Sequence, residues 1–149
     1  MLLQTYLNSC NLIIMSANNF DRNVVFFDGL CGLCNGFIDF VMKFDSRKSF
    51  YFSPLQSEYA RNTLPAELTQ DLKTVVAFID GKTYKKSEAV FKVLQKLGGM
   101  WSFISLLRIL PSSLSNFGYD LVAANRYSLF GKKETCRLPT PEERLRFLL

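Results

Sequence analysis

The chain has 149 residues, 48% of them apolar and 14% aromatic, with 14 Phe and no His. That composition excludes a disordered chain and gives length enough for one domain with a substantial core. The net charge of +5 comes from scattered basic residues, which argues against a nucleic-acid reader, and four Cys are too few for a disulfide scaffold.

Residues 1–20 carry no Lys or Arg, and their longest apolar block is Leu12 to Met15. A secretory signal needs a positive n-region and a longer apolar core, and a transit peptide should be Arg-rich, so neither is expected. Met15 offers an alternative start, which would make the preceding residues an upstream extension. We expect an N-terminal extension over residues 1–20 and a single domain over 21–149. No run reaches the roughly 20 apolar residues that span a bilayer, so no transmembrane segment is expected.

Val24 to Phe27 is β-branched and aromatic without alternation, the pattern of a central strand buried on both faces. Asp28-Gly29 supplies a turn. From Gly32 to Asp45, Leu33, Phe37, Phe40, Val41 and Phe44 fall on one helical face. Ser49 to Ser53 reads as a second strand ended by Pro54, which cannot donate to a ladder. Ser57 to Leu64 is a short helix with Ser57 as N-cap, and Ala66 to Lys73 a polar connection or short helical turn. Thr74 to Ile79 is a third strand. Asp80-Gly81 turns it into a hairpin partner over Lys82 to Lys86. Ser87 caps a helix with Val90, Phe91, Leu94 and Leu97 at helical spacing, and Gly98-Gly99 ends it.

Residues 100–149 form a helical extension. Trp101 to Leu110 is strongly apolar and is expected to pack on the core, with a membrane-surface or partner-binding helix as the alternative. A helix is expected from about Ser113 to Tyr127. Phe130-Gly131 makes a turn, and Glu142 to Leu149 a last helical turn or two, entered through Pro141.

The chemistry sits in Asp28-Gly29-Leu30-Cys31-Gly32-Leu33-Cys34. A strand runs into two cysteines two residues apart, and a helix starts there. The partial positive charge of a helix N-terminus favours the Cys31 thiolate, the reactive species. One turn on, Cys34 can reach back to close a disulfide. The competing readings are half of a zinc site and a structural pair. Zinc needs two further ligands, and the chain has no His, while Cys10 and Cys136 lack a neighbour at ligand spacing. No metal or other cofactor is expected.

The order β-α-β-α-β-β-α over residues 24–98, with CxxC at the first helix start, is similar to the thioredoxin-like α/β arrangement, here with a C-terminal helical extension. Strands one and two would pair in parallel. Asp28, Cys31 and Cys34 resemble the signature of the DCC family of thiol-disulfide oxidoreductases. The stretches Phe52-Ser53-Pro54-Leu55-Gln56, Lys86-Ser87-Glu88-Ala89, and Asn125-Arg126-Tyr127 through Phe130-Gly131 to Cys136 are also similar to it. The likeness covers roughly residues 23–140 and implies a thioredoxin-like domain and dithiol exchange, with little about substrate. One departure concerns better-known thioredoxin relatives, which place a cis-proline at the entrance to the strand facing the CxxC. Here Lys73-Thr74 stands there, so docking by that loop does not carry over.

The expectation is an oxidoreductase enzyme in a reducing, cytoplasmic compartment. Cys31 attacks a protein or small-molecule disulfide, and Cys34 resolves the mixed disulfide. A separate reductant recycles the pair. Asp28 either relays a proton or holds the loop by accepting backbone N–H groups, and an Asp-Gly pair favours loop-holding. Gly29, Leu30, Gly32, Leu33, Arg126 and Tyr127 are candidate substrate contacts. Arg126 and Tyr127 could equally be a surface charge and a half-buried ring. Cys136 is a third redox thiol or a small buried hydrophobe. The rival from another class is a non-catalytic thioredoxin-like binding module, carrying zinc or docking a protein partner.

Overall fold

The computed structural model describes residues 22–135 and 138–149. The expected extension over residues 1–20, together with Cys10 and Cys136, lies outside them. A four-stranded sheet has the order β2-β1-β3-β4. The strands are β1 (Asn23–Phe27), β2 (Phe50–Pro54), β3 (Val76–Ile79) and β4 (Lys82–Lys85). Strand β1 pairs with β2 in parallel and with β3 antiparallel, and β3 pairs with β4 antiparallel. The architecture is mixed α/β, consistent with a thioredoxin-like fold.

The unalternating apolar run of β1 is explained by its position. It is an inner strand, and Val24 to Phe27 are all buried. Val25 and Phe27 face one apolar cluster, with Ile38, Val41 and Val93. Val24 and Phe26 face a second, with Leu55, Ala60 and Val76. Pro54 is accommodated because β2 lies at an edge. Asp80 and Gly81 both take positive φ, 50° and 77°, the conformation that a two-residue hairpin loop requires.

Helix α1 (Gly32–Phe44) crosses from β1 to β2. Its buried face is Cys34, Asn35, Ile38 and Val41; of the stripe that spacing suggested, Val41 is buried and Leu33, Phe37 and Phe40 pack on the core while half-buried. Phe44 is exposed, and it and Phe40 pack against Trp101, with ring centroids 4.8 and 4.6 Å away. The smaller residues face the sheet, and the aromatic ones fill the flank. Two short helices follow, α2 (Glu58–Thr63) and α3 (Ala66–Gln70), and Ser57 caps the first by accepting from the Ala60 N–H.

Helix α4 (Lys86–Leu97) starts earlier than expected. Lys85 stands at its N-cap without a side-chain bond, and the Ser87 hydroxyl donates instead to Asn116 Oδ1 at 2.7 Å. Ser87 therefore ties α4 to the long helix α6 (Ser112–Phe130), where capping had been expected of it. Gly98, at φ 74°, ends α4.

Trp101 to Leu110 does not pack into the core. It forms the short helix α5 (Trp101–Ile104) and a 3₁₀ turn over Ser105–Ile109, leaving Phe103 75% and Ile109 77% exposed. Helices α1 and α4 already cover that side of the sheet, so the segment lies outside them. The last 3₁₀ turn, Glu143–Arg146, leads to Phe147, which packs against Phe27 and Phe52. The Leu148 N–H then bonds the Phe52 carbonyl at 2.8 Å. Among the described residues, no helix is long and apolar enough to cross a membrane.

Candidate active site

Strand β1 ends at Phe27, and Asp28 begins the turn that carries the cysteines. Cys31 occupies the N-cap of α1, in extended conformation, and its sulfur accepts the Cys34 N–H at 3.4 Å. The first sulfur thus stands where the helix presents its unpaired N–H groups, the geometry that suits an anion. Cys31 and Cys34 are both free thiols.

The site is closed. Cys31 is 0% exposed and Cys34 5%. This enclosure is not visible in the pattern of strand, CxxC and helix. The segment after α6 lies across the loop as a strap. Cys31 forms an isolated antiparallel bridge with Lys132, the Gly32 N–H bonds the Gly131 carbonyl at 3.3 Å, and the Lys133 N–H bonds the Leu30 carbonyl at 2.8 Å. Contact is so close at Gly32 that an added Cβ would lie 2.3 Å from the Phe130 carbonyl oxygen. Gly32 is needed there because backbone passes directly over it.

Beneath the strap lies a buried polar network. Asp28 Oδ1 accepts the Leu30 N–H at 3.0 Å and the Gln56 amide at 2.7 Å. Asp28 Oδ2 accepts Arg126 Nη2 at 2.9 Å and the Tyr127 hydroxyl. Arg126 is 2% exposed and Asp28 1%. Arg126 also donates to the Leu72 carbonyl at 2.7 Å and to the Tyr127 hydroxyl at 3.1 Å, and its Nη1 stands 3.6 Å from the Cys34 sulfur. The guanidinium stacks on the Tyr127 ring, 4.7 Å from its centroid. Burial pushes the Cys34 thiol up to about 12, with its hydrogen bond to Cys31 adding to the rise and Arg126 opposing it. Burial and the hydrogen bond to Asp28 raise Tyr127 to about 12 as well.

The predicted residues therefore divide. Asp28, Cys31, Cys34, Arg126 and Tyr127 converge. Gly29 is buried, its N–H bonded to Gln56 Oε1 at 3.2 Å. Leu30 and Gly32 meet the strap, and Leu33 lines a cavity that Cys34 also borders. Two residues went unassigned in the sequence. Gln56 clamps the Asp-Gly turn from the end of β2. Asn35 donates from Nδ2 to the Gly29 carbonyl at 2.9 Å and the Cys31 carbonyl at 2.8 Å. The signal for Asn35 was an amide inside an otherwise apolar helix face, directly after Cys34. Among the described residues, no group of three or more Cys, Asp or Glu side chains is arranged to hold a metal ion.

The chain is 38% identical over 136 residues to the uncharacterized protein YuxK of Bacillus subtilis (strain 168), covering 90% of this chain and 99% of that one. It is 35% identical over 120 residues to a chloroplastic DCC family protein of Arabidopsis thaliana, covering 78% of this chain and 70% of that one. No solved structure matches. Residues 25–132, the span from β1 through the strap, match the family described as DCC1-like thiol-disulfide oxidoreductase. The Asp-x-x-Cys-x-x-Cys turn and the arginine that pairs with its aspartate both fall within that match, and the chain belongs to this family.

Proposed function

We propose that the chain is a dithiol–disulfide oxidoreductase whose reacting pair is Cys31 and Cys34. The Cys31 thiolate attacks one sulfur of a disulfide R–S–S–R′, in a protein or a small molecule. A Cys31–S–S–R bond forms, and R′–S⁻ leaves. The Cys34 thiol gives its proton to the departing thiolate or to water and attacks Cys31. The internal disulfide forms and R–S⁻ is released, so the pair gives two electrons to the substrate. A separate dithiol reductant restores it, in a reducing compartment such as the cytoplasm.

The observation that carries this reading is the placement of the two sulfurs. Cys31 caps a helix N-terminus, and Cys34 stands one turn on beside Arg126. Arg126 supplies positive charge when the Cys34 proton leaves, and Asp28 holds both the turn and the guanidinium. Because Cys31 is enclosed, exchange requires the strap over residues 130–133 to lift. Leu30 and Gly32 then become substrate contacts.

The test is trapping. Cys34→Ser should accumulate a mixed disulfide at Cys31, and Cys31→Ser should trap nothing. No trapped species with either variant overturns the enzyme reading. The full enclosure of Cys31 favours one alternative, a non-catalytic docking module. Such a module would retain its partner after both cysteines become Ser.

A further inference from the structure

The strap shows what kind of chain the cysteine loop accepts. Lys132 faces Cys31 in an antiparallel bridge, and the hydrogen bonds fall on either side of it. One runs from the Gly32 N–H to the Gly131 carbonyl, the other from the Lys133 N–H to the Leu30 carbonyl. Cys31 and Lys132 are therefore a non-hydrogen-bonded pair. In such a pair the Cα atoms stand about 4.5 Å apart and both side chains project to the same face. The Lys132 ammonium lies over the Tyr127 ring, 5.4 Å from its centroid, so this side chain runs toward the buried network.

A disulfide spans roughly 4.4–6.8 Å between Cα atoms. A half-cystine in the place of Lys132 would thus meet Cys31 at a bonding separation. The loop also presents one acceptor, at Leu30, and one donor, at Gly32, and both are met by the main chain of the strap. An extended polypeptide supplies those bonds whatever its side chains, as in strand addition to a free edge. A single amino acid or a small thiol cannot span both. Gly32 makes room for such a strand, since a Cβ there would lie 2.3 Å from the Phe130 carbonyl oxygen. When one strand replaces the other, the bonds given up by the strap are remade, and neither loop group is left unmade.

We infer that the strap occupies the seat of the substrate, and that the substrate is an extended polypeptide whose disulfide cysteine takes the place of Lys132 in antiparallel register. The residue before that cysteine accepts from Gly32, and the residue after it donates to Leu30, which excludes proline directly after the cysteine. The Cys31 thiolate then attacks the seated sulfur, a Cys31–substrate disulfide forms, and the other half of the substrate disulfide leaves as a thiolate. This substrate class rests on the dithiol reading above and narrows it from any disulfide to a polypeptide one.

The test uses acetyl-Phe-Gly-Cys-Lys-Glu-amide, the sequence of residues 130–134 with Cys in the place of Lys132. Its sulfur carries 5-thio-2-nitrobenzoate as a mixed disulfide, and release of that coloured thiolate by the reduced full chain is followed by absorbance. Cys31→Ser sets the background from other thiols. The peptide should react about tenfold faster than N-acetylcysteine amide carrying the same group. N-methylation of the Lys nitrogen removes the N–H that serves Leu30 and should abolish that advantage. N-methylation of the Glu nitrogen, which points away from the loop in this register, should preserve it. A peptide no faster than the single amino acid, or equal effects of the two methylations, overturns the assignment and leaves dithiol exchange standing. No release above the Cys31→Ser background removes both.

Discussion

Arg126 and Asp28 stand 98 residues apart in the chain and form a buried ion pair, Nη2 to Oδ2 at 2.9 Å. The pair joins the last turn of α6 to the turn that carries the cysteines, so the C-terminal extension is part of the site. A buried pair is weak evidence for stability, but removing one partner strands the other in low dielectric. Arg126→Ala should cost about 3–5 kcal/mol in a urea denaturation experiment. Arg126→Lys should recover only part of that loss. A single ammonium cannot serve Asp28, Leu72 and Cys34 with the geometry of a planar fork. An unchanged urea midpoint for Arg126→Ala would show that the pair does not form in solution.

The strap makes its own prediction. At Gly32 a methyl group would collide with the Phe130 carbonyl, a backbone atom that cannot swing aside. Helix α1 itself would tolerate Ala, a better helix former than Gly. Gly32→Ala should therefore displace the strap and leave the helix in place. Alkylation of Cys31 by iodoacetamide, mapped by mass spectrometry, should accelerate at least tenfold over the wild type, with far-UV circular dichroism unchanged. Equal rates would mean that the strap does not control access.

Stability should depend on alkaline pH in a defined sense. Cys34 is raised from 9.0 to about 12, and burial raises Tyr119 from 10.0 to about 12, as it does Tyr127. The fold holds these protons more tightly than the unfolded chain does. Their contribution is complete below about pH 9 and is lost as the pH rises toward 12, because the unfolded chain then binds fewer protons. Unfolding midpoints measured from pH 7 to 11 should be flat with respect to these groups at first and then decline. Cys34→Ala should remove the earliest part of the decline, and a decline of unchanged onset in that variant would remove Cys34 from the account.

The contrast between what local pattern revealed and what it hid follows from distance along the chain. Val24 to Phe27, the Asp80-Gly81 hairpin and the junction of strand, CxxC and helix are each written in a few adjacent residues. Arg126 was singled out through the resemblance, as a substrate contact or a surface charge, but its pairing with Asp28 was not written in adjacent residues. The strap was hidden for the same reason, since nothing in Gly131-Lys132-Lys133 announces that it will pair with Leu30 to Gly32. For α1 the spacing was correct, but of the expected stripe only Val41 is fully buried, with Leu33, Phe37 and Phe40 packed at the edge of the core. Hydrophobic period favours the largest side chains, whereas contact with the sheet selected Cys34, Asn35, Ile38 and Val41. Trp101 to Leu110 was misleading because apolar composition implies burial only where a face of the core is still open.

Asn35 ties these strands of reasoning together. Its amide nitrogen bonds two carbonyls of the cysteine loop, those of Gly29 and Cys31. The Cys31 carbonyl keeps a second partner, the Asn35 N–H at 3.0 Å, but the Gly29 carbonyl depends on the side chain. Asn35→Leu keeps the branched outline of the side chain and improves helix propensity while leaving that buried acceptor unmet, which should cost about 1–3 kcal/mol. The penalty falls on the loop, because α1 keeps its own ladder. The loop can escape it only by opening the Gly29 carbonyl toward water, which loosens the backbone that seats Cys31. Asn35→Leu should therefore raise the Cys31 alkylation rate severalfold while Gly32 and the strap residues are unaltered. A destabilised variant with wild-type alkylation would show that Asn35 supports the fold without positioning the thiol.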